Sequence, residues 1–144
     1  MLRAGHTARL HHVGVVLAER RQLDELLPLL GLAVSHCVFV ERYQADCLFV
    51  NAGRAQVEFI VPQGGPLAGF NRGIGGLHHL AFQVDNLEEL QARLAGAGIH
   101  LLEERPVPAG ELRINFLPPV YTRGLILEFV EPIGRDRTAS GDAS

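Results

Sequence analysis

Residues 9–17, Arg-Leu-His-His-Val-Gly-Val-Val-Leu, are rich in β-branched side chains and predict a strand. Beyond them Leu23, Leu26, Leu27 and Leu30 recur at helical spacing, and Gly31 supplies a C-terminal stop. Three shorter strands are then expected over residues 33–40, 45–51 and 55–61. The same order begins again with a strand over residues 77–84. Asp85 or Asn86 can cap a helix carrying Leu87, Leu90 and Leu94, which stops near Gly96 and Gly98. Strands over 100–104, 112–117 and 125–131 follow, and glycine-containing turns at 52–54 and 121–124 separate the last two strands of each half.

The two halves match in detail. Leu10-His11-His12-Val13 returns as Leu77-His78-His79-Leu80, Leu23-Asp24-Glu25-Leu26 as Leu87-Glu88-Glu89-Leu90, and Val57-Glu58-Phe59-Ile60-Val61-Pro62 as Leu127-Glu128-Phe129-Val130-Glu131-Pro132. Three matches in one order, two of them carrying His or Glu in an apolar setting, indicate a duplicated βαβββ module. The modules occupy about 8–62 and 76–132 within a single domain over 8–132. Their Gly- and Pro-rich junction lacks the strand–loop–helix placement of a phosphate loop and is expected to be a flexible connector. Residues 133–144 have the composition of a flexible tail.

Composition narrows the functional class. The 144 residues, 47% apolar and 20% charged, describe a globular chain with material for a core. No apolar run reaches membrane-spanning length, and no continuous apolar segment marks a secretory signal. A net charge of −3 argues against a nucleic-acid or anionic-membrane partner. Two cysteines, Cys37 and Cys47, are too few for a disulfide framework and are expected to be reduced and half-buried, as in a cytoplasmic protein. All thirteen basic residues are arginine. A lysine base or Schiff base is therefore excluded, and an anion can be met only by arginine, backbone N–H groups or a metal.

Strand parity then selects the candidate chemistry, because successive strand residues face opposite sides. His12 shares a face with Gly14 and Val16, and His79 shares one with Ala81 and Gln83; His11 and His78 are expected to point the other way. Glu58 lies with Gln56 and Ile60, and Glu128 with Ile126 and Val130. A carboxylate within an apolar strand is costly to bury unless it is paired or bound to metal. One such histidine or glutamate is ordinarily a satisfied core or edge residue, but here each occurs twice, at equivalent places in a repeat. If the modules pack about a pseudo-two-fold axis, His12, Glu58, His79 and Glu128 converge on a site suited to one divalent ion such as Zn, Ni, Co, Fe or Mn.

These segments, with Gly75-Gly-Leu-His-His-Leu-Ala-Phe-Gln-Val-Asp-Asn-Leu87 and Phe116-Leu-Pro-Pro119 through Glu131, resemble the vicinal-oxygen-chelate (glyoxalase/bleomycin-resistance) superfamily. The second half is most similar to methylmalonyl-CoA epimerases. The resemblance implies an α+β, glyoxalase-like fold, in which two tandem βαβββ modules form a cup-shaped mixed sheet around the metal. It places the metal ligands on the same four residues. It also implies a small carbonyl or thioester substrate, an enolate stabilised by the metal, Glu128 as general base, and an acidic second proton carrier near Glu41. Homodimers are common in this architecture.

The resemblance leaves alternatives. Glutamate at position 58 is nearer the glyoxalase I pattern, a lyase acting on a thiol hemithioacetal, whereas the epimerases commonly have glutamine. A ferrous extradiol dioxygenase uses two histidines and one carboxylate, which the second carboxylate argues against. The same fold also serves non-catalytic proteins that bind small molecules such as antibiotics, and those often lack the metal residues.

Overall fold

A computed structural model describes residues 2–134, so most of the expected tail lies outside the described residues. The first half runs β1 (Arg9–Leu17), α1 (Arg20–Leu30), β2 (Val34–Val40), β3 (Ala45–Ala52) and β4 (Ala55–Pro62). The second runs β5 (Gly75–Gln83), α2 (Leu87–Gly96), β6 (Val107–Ala109), β7 (Leu112–Leu117) and β8 (Leu127–Pro132). Together they form one eight-stranded mixed sheet in the order β2-β3-β4-β1-β5-β8-β7-β6. Parallel pairs β1·β4 and β5·β8 flank the central antiparallel pair β1·β5, which joins the halves. The sheet curls into a cup: a Cβ at Gly110, between β6 and β7, would press on Val38 of the far edge strand β2.

The helices follow their end signals. Gly31 ends α1 in the left-handed region at φ 65°. Asn86 caps α2, its side chain accepting from the Glu89 N–H at 3.0 Å. Each helix covers the outside of its own half. Leu23 and Leu27 pack with Leu48, Val50, Phe59 and Val61 under α1. Leu87, Leu90 and Leu94 pack with Val84 and Leu101 under α2. A third apolar cluster fills the cup from within, including Val16, Val40, Phe49, Ile60, Ile114 and Val130. Both sheet faces are thereby covered, as the unbroken buried run Cys47–Val50 of β3 requires.

The structure corrects two expected elements. Residues 100–104 do not pair as a strand, and the second strand of the second half is the short β6 further on. The fully buried Asn115 supplies the reason. Its side chain accepts from the Glu103 N–H at 3.0 Å and donates to the Glu103 carbonyl at 2.9 Å, while Gln91 donates to the carbonyls of Glu103 and Glu104. Side chains satisfy this backbone, so a ladder is unnecessary. The junction between modules is also more than a plain connector. It carries a 3-10 turn at Phe70–Gly73, with Leu67 and Phe70 packed against the inner cluster and Asn71 donating to the Gly75 carbonyl at 2.7 Å.

Candidate metal centre

The four residues selected by parity meet inside the cup. His12 projects from β1, His79 from β5, Glu58 from β4 and Glu128 from β8, and all four are buried. One donor atom from each lies within 4.8 Å of the others. His12 Nε2 is 2.7 Å from Glu58 Oε2, 3.2 Å from Glu128 Oε2 and 3.1 Å from His79 Nε2. His79 Nε2 is 2.6 Å from Glu128 Oε2. Parity holds because β1 and β5 pair centrally while β4 and β8 lie parallel outside them, with Gly14 opposite Glu58 and Ala81 opposite Glu128.

The donor set fits a divalent ion. Imidazole nitrogen and carboxylate oxygen bind first-row metals at about 2.0–2.2 Å, so neighbouring donors around one ion stand about 3 Å apart. The separations above are of that size. Glu128 Oε2, although close to both imidazoles, has no partner in hydrogen-bond geometry and is a buried polar atom left unsatisfied. Four protein donors also leave room at an octahedral ion for two further oxygens.

Electrostatics point the same way. Burial disfavours a charged His12, but contact with Glu128 and Glu58 outweighs it and raises the imidazole to about 9. Burial alone would raise the Glu128 carboxyl; contact with His12 and His79 instead lowers it to about 2. Without a metal the cluster therefore holds its carboxylates by protonating histidine, a role that a cation takes over.

His11 and His78 overturn a parity expectation. Between Leu10 and His12 the β1 ladder skips His11, and between Leu77 and His79 the β5 ladder skips His78. Each is the extra residue of a β-bulge, which re-aims a side chain. His11 Nδ1 consequently lies 2.8 Å from His12 Nδ1, and His78 Nδ1 lies 2.8 Å from His79 Nδ1. In each pair one ring donates and the other accepts, leaving the Nε2 atoms of His12 and His79 to the cluster. Burial and the neighbouring His79 lower His78 to about 4, so its ring is neutral near pH 7. The sequence signal was present in the doubled His-His of both copies; the bulges that give it meaning were not.

Other placements differ from expectation. Glu41 stands exposed on the 3-10 turn Glu41–Tyr43, and the structure does not bring it to the cluster; Tyr43, two residues on, does line the cavity. Its hydroxyl donates to Glu103 Oε1 at 3.3 Å, and burial and that carboxylate push its pKa upward. The cysteines are not half-buried. Cys37 is exposed, whereas Cys47 is buried in the cavity wall, where burial and Glu58 raise its thiol pKa.

Comparison with known proteins agrees with this geometry. The sequence pattern of the Glyoxalase/Bleomycin resistance protein/Dioxygenase superfamily matches residues 11–116, and the chain belongs to that superfamily. It is 31% identical over 131 residues to the uncharacterized protein YqjC of Bacillus subtilis, covering 88% of this chain and 94% of that one. It is 30% identical over 126 residues to the mitochondrial methylmalonyl-CoA epimerase of Homo sapiens, covering 83% and 72%. Among solved structures, methylmalonyl-CoA epimerase from Mycobacterium tuberculosis shares the fold with a TM-score of 0.81 at 26% identity, over 96% of this chain and 97% of that one. Among the described residues no helix is long and apolar enough to cross a membrane.

Proposed function

We propose that the protein is a divalent-metal-dependent epimerase or isomerase that moves a proton α to a carbonyl, on methylmalonyl-CoA or a similar chelating thioester or keto substrate. The observation that carries this reading is the buried convergence of two imidazoles and two carboxylates, one oxygen of which has no hydrogen-bond partner. His12, Glu58, His79 and Glu128 would hold the ion. When bound, it supplies Lewis-acid stabilisation of the negative charge that develops on the carbonyl oxygen, lowering the barrier by several kcal/mol.

The chain's own residues do the rest. Glu128 is ionised at neutral pH and accepts the α-proton at its carboxylate, then returns it. His11 and His78 hold the His12 and His79 rings through their Nδ1 atoms. The apolar walls formed by Phe49, Ile60, Ile114 and Phe116 exclude water from the transferred proton. Inversion needs a second carrier on the other face. Glu41, the residue that the resemblance put forward, is exposed outside the cavity and is not placed for that role.

The test is deuterium incorporation at the α-carbon of methylmalonyl-CoA in D2O with metal-loaded protein. Incorporation is expected in the wild type and lost in Glu128→Gln. In Glu41→Gln, incorporation and inversion are both expected to persist. No incorporation across a panel of carbonyl substrates would exclude the epimerase reading. The carboxylate at position 58 favours one other substrate, a glutathione hemithioacetal, whose turnover to the thioester would instead assign a glyoxalase-I-type lyase.

A further inference from the structure

The metal cavity is small, about 30 Å³, and opens into a groove of about 490 Å³. Tyr43, Leu67, His78 and Phe116 line both and form the neck between them. A substrate whose two oxygens reach the cluster by this route must leave its remaining arm in the groove, whose size is that of a small-molecule site. A second opening, beyond Val38 and Phe49, is bordered by the polar side chains of His36, Gln56 and Glu111.

The groove's chemistry is one-sided. Leu102, Phe116, Leu117 and Ile126 provide apolar walls, and Pro66, Pro118 and Pro119 contribute backbone without an N–H donor. Three backbone donors of this wall are already committed. The Leu102 N–H donates to the Phe116 carbonyl at 2.8 Å, the Glu103 N–H to Asn115 Oδ1 at 3.0 Å and the Phe116 N–H to the same oxygen at 2.9 Å. Arg42 carries the one permanent positive charge of the lining, and Glu103 grips it in a two-point pair, Nε to Oε1 at 3.1 Å and Nη2 to Oε2 at 3.0 Å. The permanent charges of the lining thus cancel.

We propose that this groove takes the non-chelating arm of the substrate as an uncharged, largely apolar chain, and holds no phosphate or carboxylate of that arm. The inference rests on the chelating site proposed above. An anionic group placed there would lose its hydration and meet no net positive charge, because Glu103 already neutralises Arg42, whereas each methylene laid on the walls gains burial. For a coenzyme A thioester, the phosphates would lie beyond the groove and contribute little to recognition.

Hydroxamic acids chelate divalent ions through two oxygens and read the arm independently of turnover. Zinc-loaded protein is titrated calorimetrically with acetohydroxamic, hexanohydroxamic and 6-phosphonohexanohydroxamic acids. The pentyl arm of hexanohydroxamic acid is expected to bind roughly tenfold tighter than the methyl, and the terminal phosphonate to cancel that gain. Leu102→Arg, a change at a half-exposed groove position, should reverse the order and favour the phosphonate; Glu103→Gln, which frees Arg42, should move it the same way. Equal binding of the methyl and pentyl arms, tighter binding of the phosphonate by wild type, or no response to Leu102→Arg would overturn the proposal. Arm selectivity without α-deuterium exchange would sink the epimerase and leave the groove standing; exchange without arm selectivity would do the reverse. Failure of all three acids to bind would sink both.

Discussion

Gly14 and His79 face each other across the central β1·β5 pair, and the His79 imidazole fills the volume that a Cβ on residue 14 would need. Gly14 has an ordinary strand backbone, so space and not conformation requires glycine here. Gly14→Ala is therefore expected to push His79 off the cluster. A loss of at least tenfold in metal affinity and about 1–3 kcal/mol in stability is expected from overpacking. Competition against a chelator and thermal melting of the metal-free protein measure the two effects separately; unchanged affinity would refute the steric argument.

The histidines give the metal-free protein opposed pH dependences. His12 rises to about 9 on folding from an ordinary value of 6.5, so its contribution is complete below 6.5 and lost as pH climbs to about 9. His78 falls to about 4, so its contribution is complete above 6.5 and lost as pH drops toward 4. Glu128 adds stability above its ordinary 4.5 that disappears as pH falls through about 2. Chelated protein should thus melt highest near pH 6.5 and lower on both sides.

The same shift predicts proton release. At pH 7 the His12 ring is protonated without metal, and binding an ion at Nε2 must displace that proton. About one proton per zinc is expected at pH 7, falling toward none well above pH 9, read from binding enthalpies in buffers of different ionisation heat.

The bulge histidines should tune the metal without being essential to it. His11→Ala or His78→Ala removes the Nδ1 partner of a ligand ring at 2.8 Å. Metal affinity is expected to fall about 10- to 100-fold while the stoichiometry stays at one ion per chain. Complete loss of the ion would assign them to the ligand set instead.

Asn115 is fully buried and ties residue 103 to β7 through both its backbone groups, with Gln91 as a third partner. Asn115→Ala would leave several buried polar groups unpaired, at a cost of about 2–4 kcal/mol. Denaturant melts measure this. The loop it holds carries Glu103, so Arg42 and Tyr43 should lose their anchor as well.

Much of this was legible in the chain. The duplicated pattern specified two βαβββ units, and Gly31 and Asn86 marked helix ends as end chemistry dictates. The period of two placed His12, Glu58, His79 and Glu128 on inner faces, because parity is a local property of extended backbone. The rest was decided by tertiary contact. A bulge depends on the partner strand's register, so the turning of His11 and His78 toward the cluster could not be read from their own strands. Residues 100–104 lost their strand to an asparagine about a dozen positions away, and Glu41 was set outside the cavity by a 3-10 turn. Sequence thus determined which residues share a face. Folding determined which faces meet, because long-range register and side-chain competition for backbone groups exist only once distant segments are packed together.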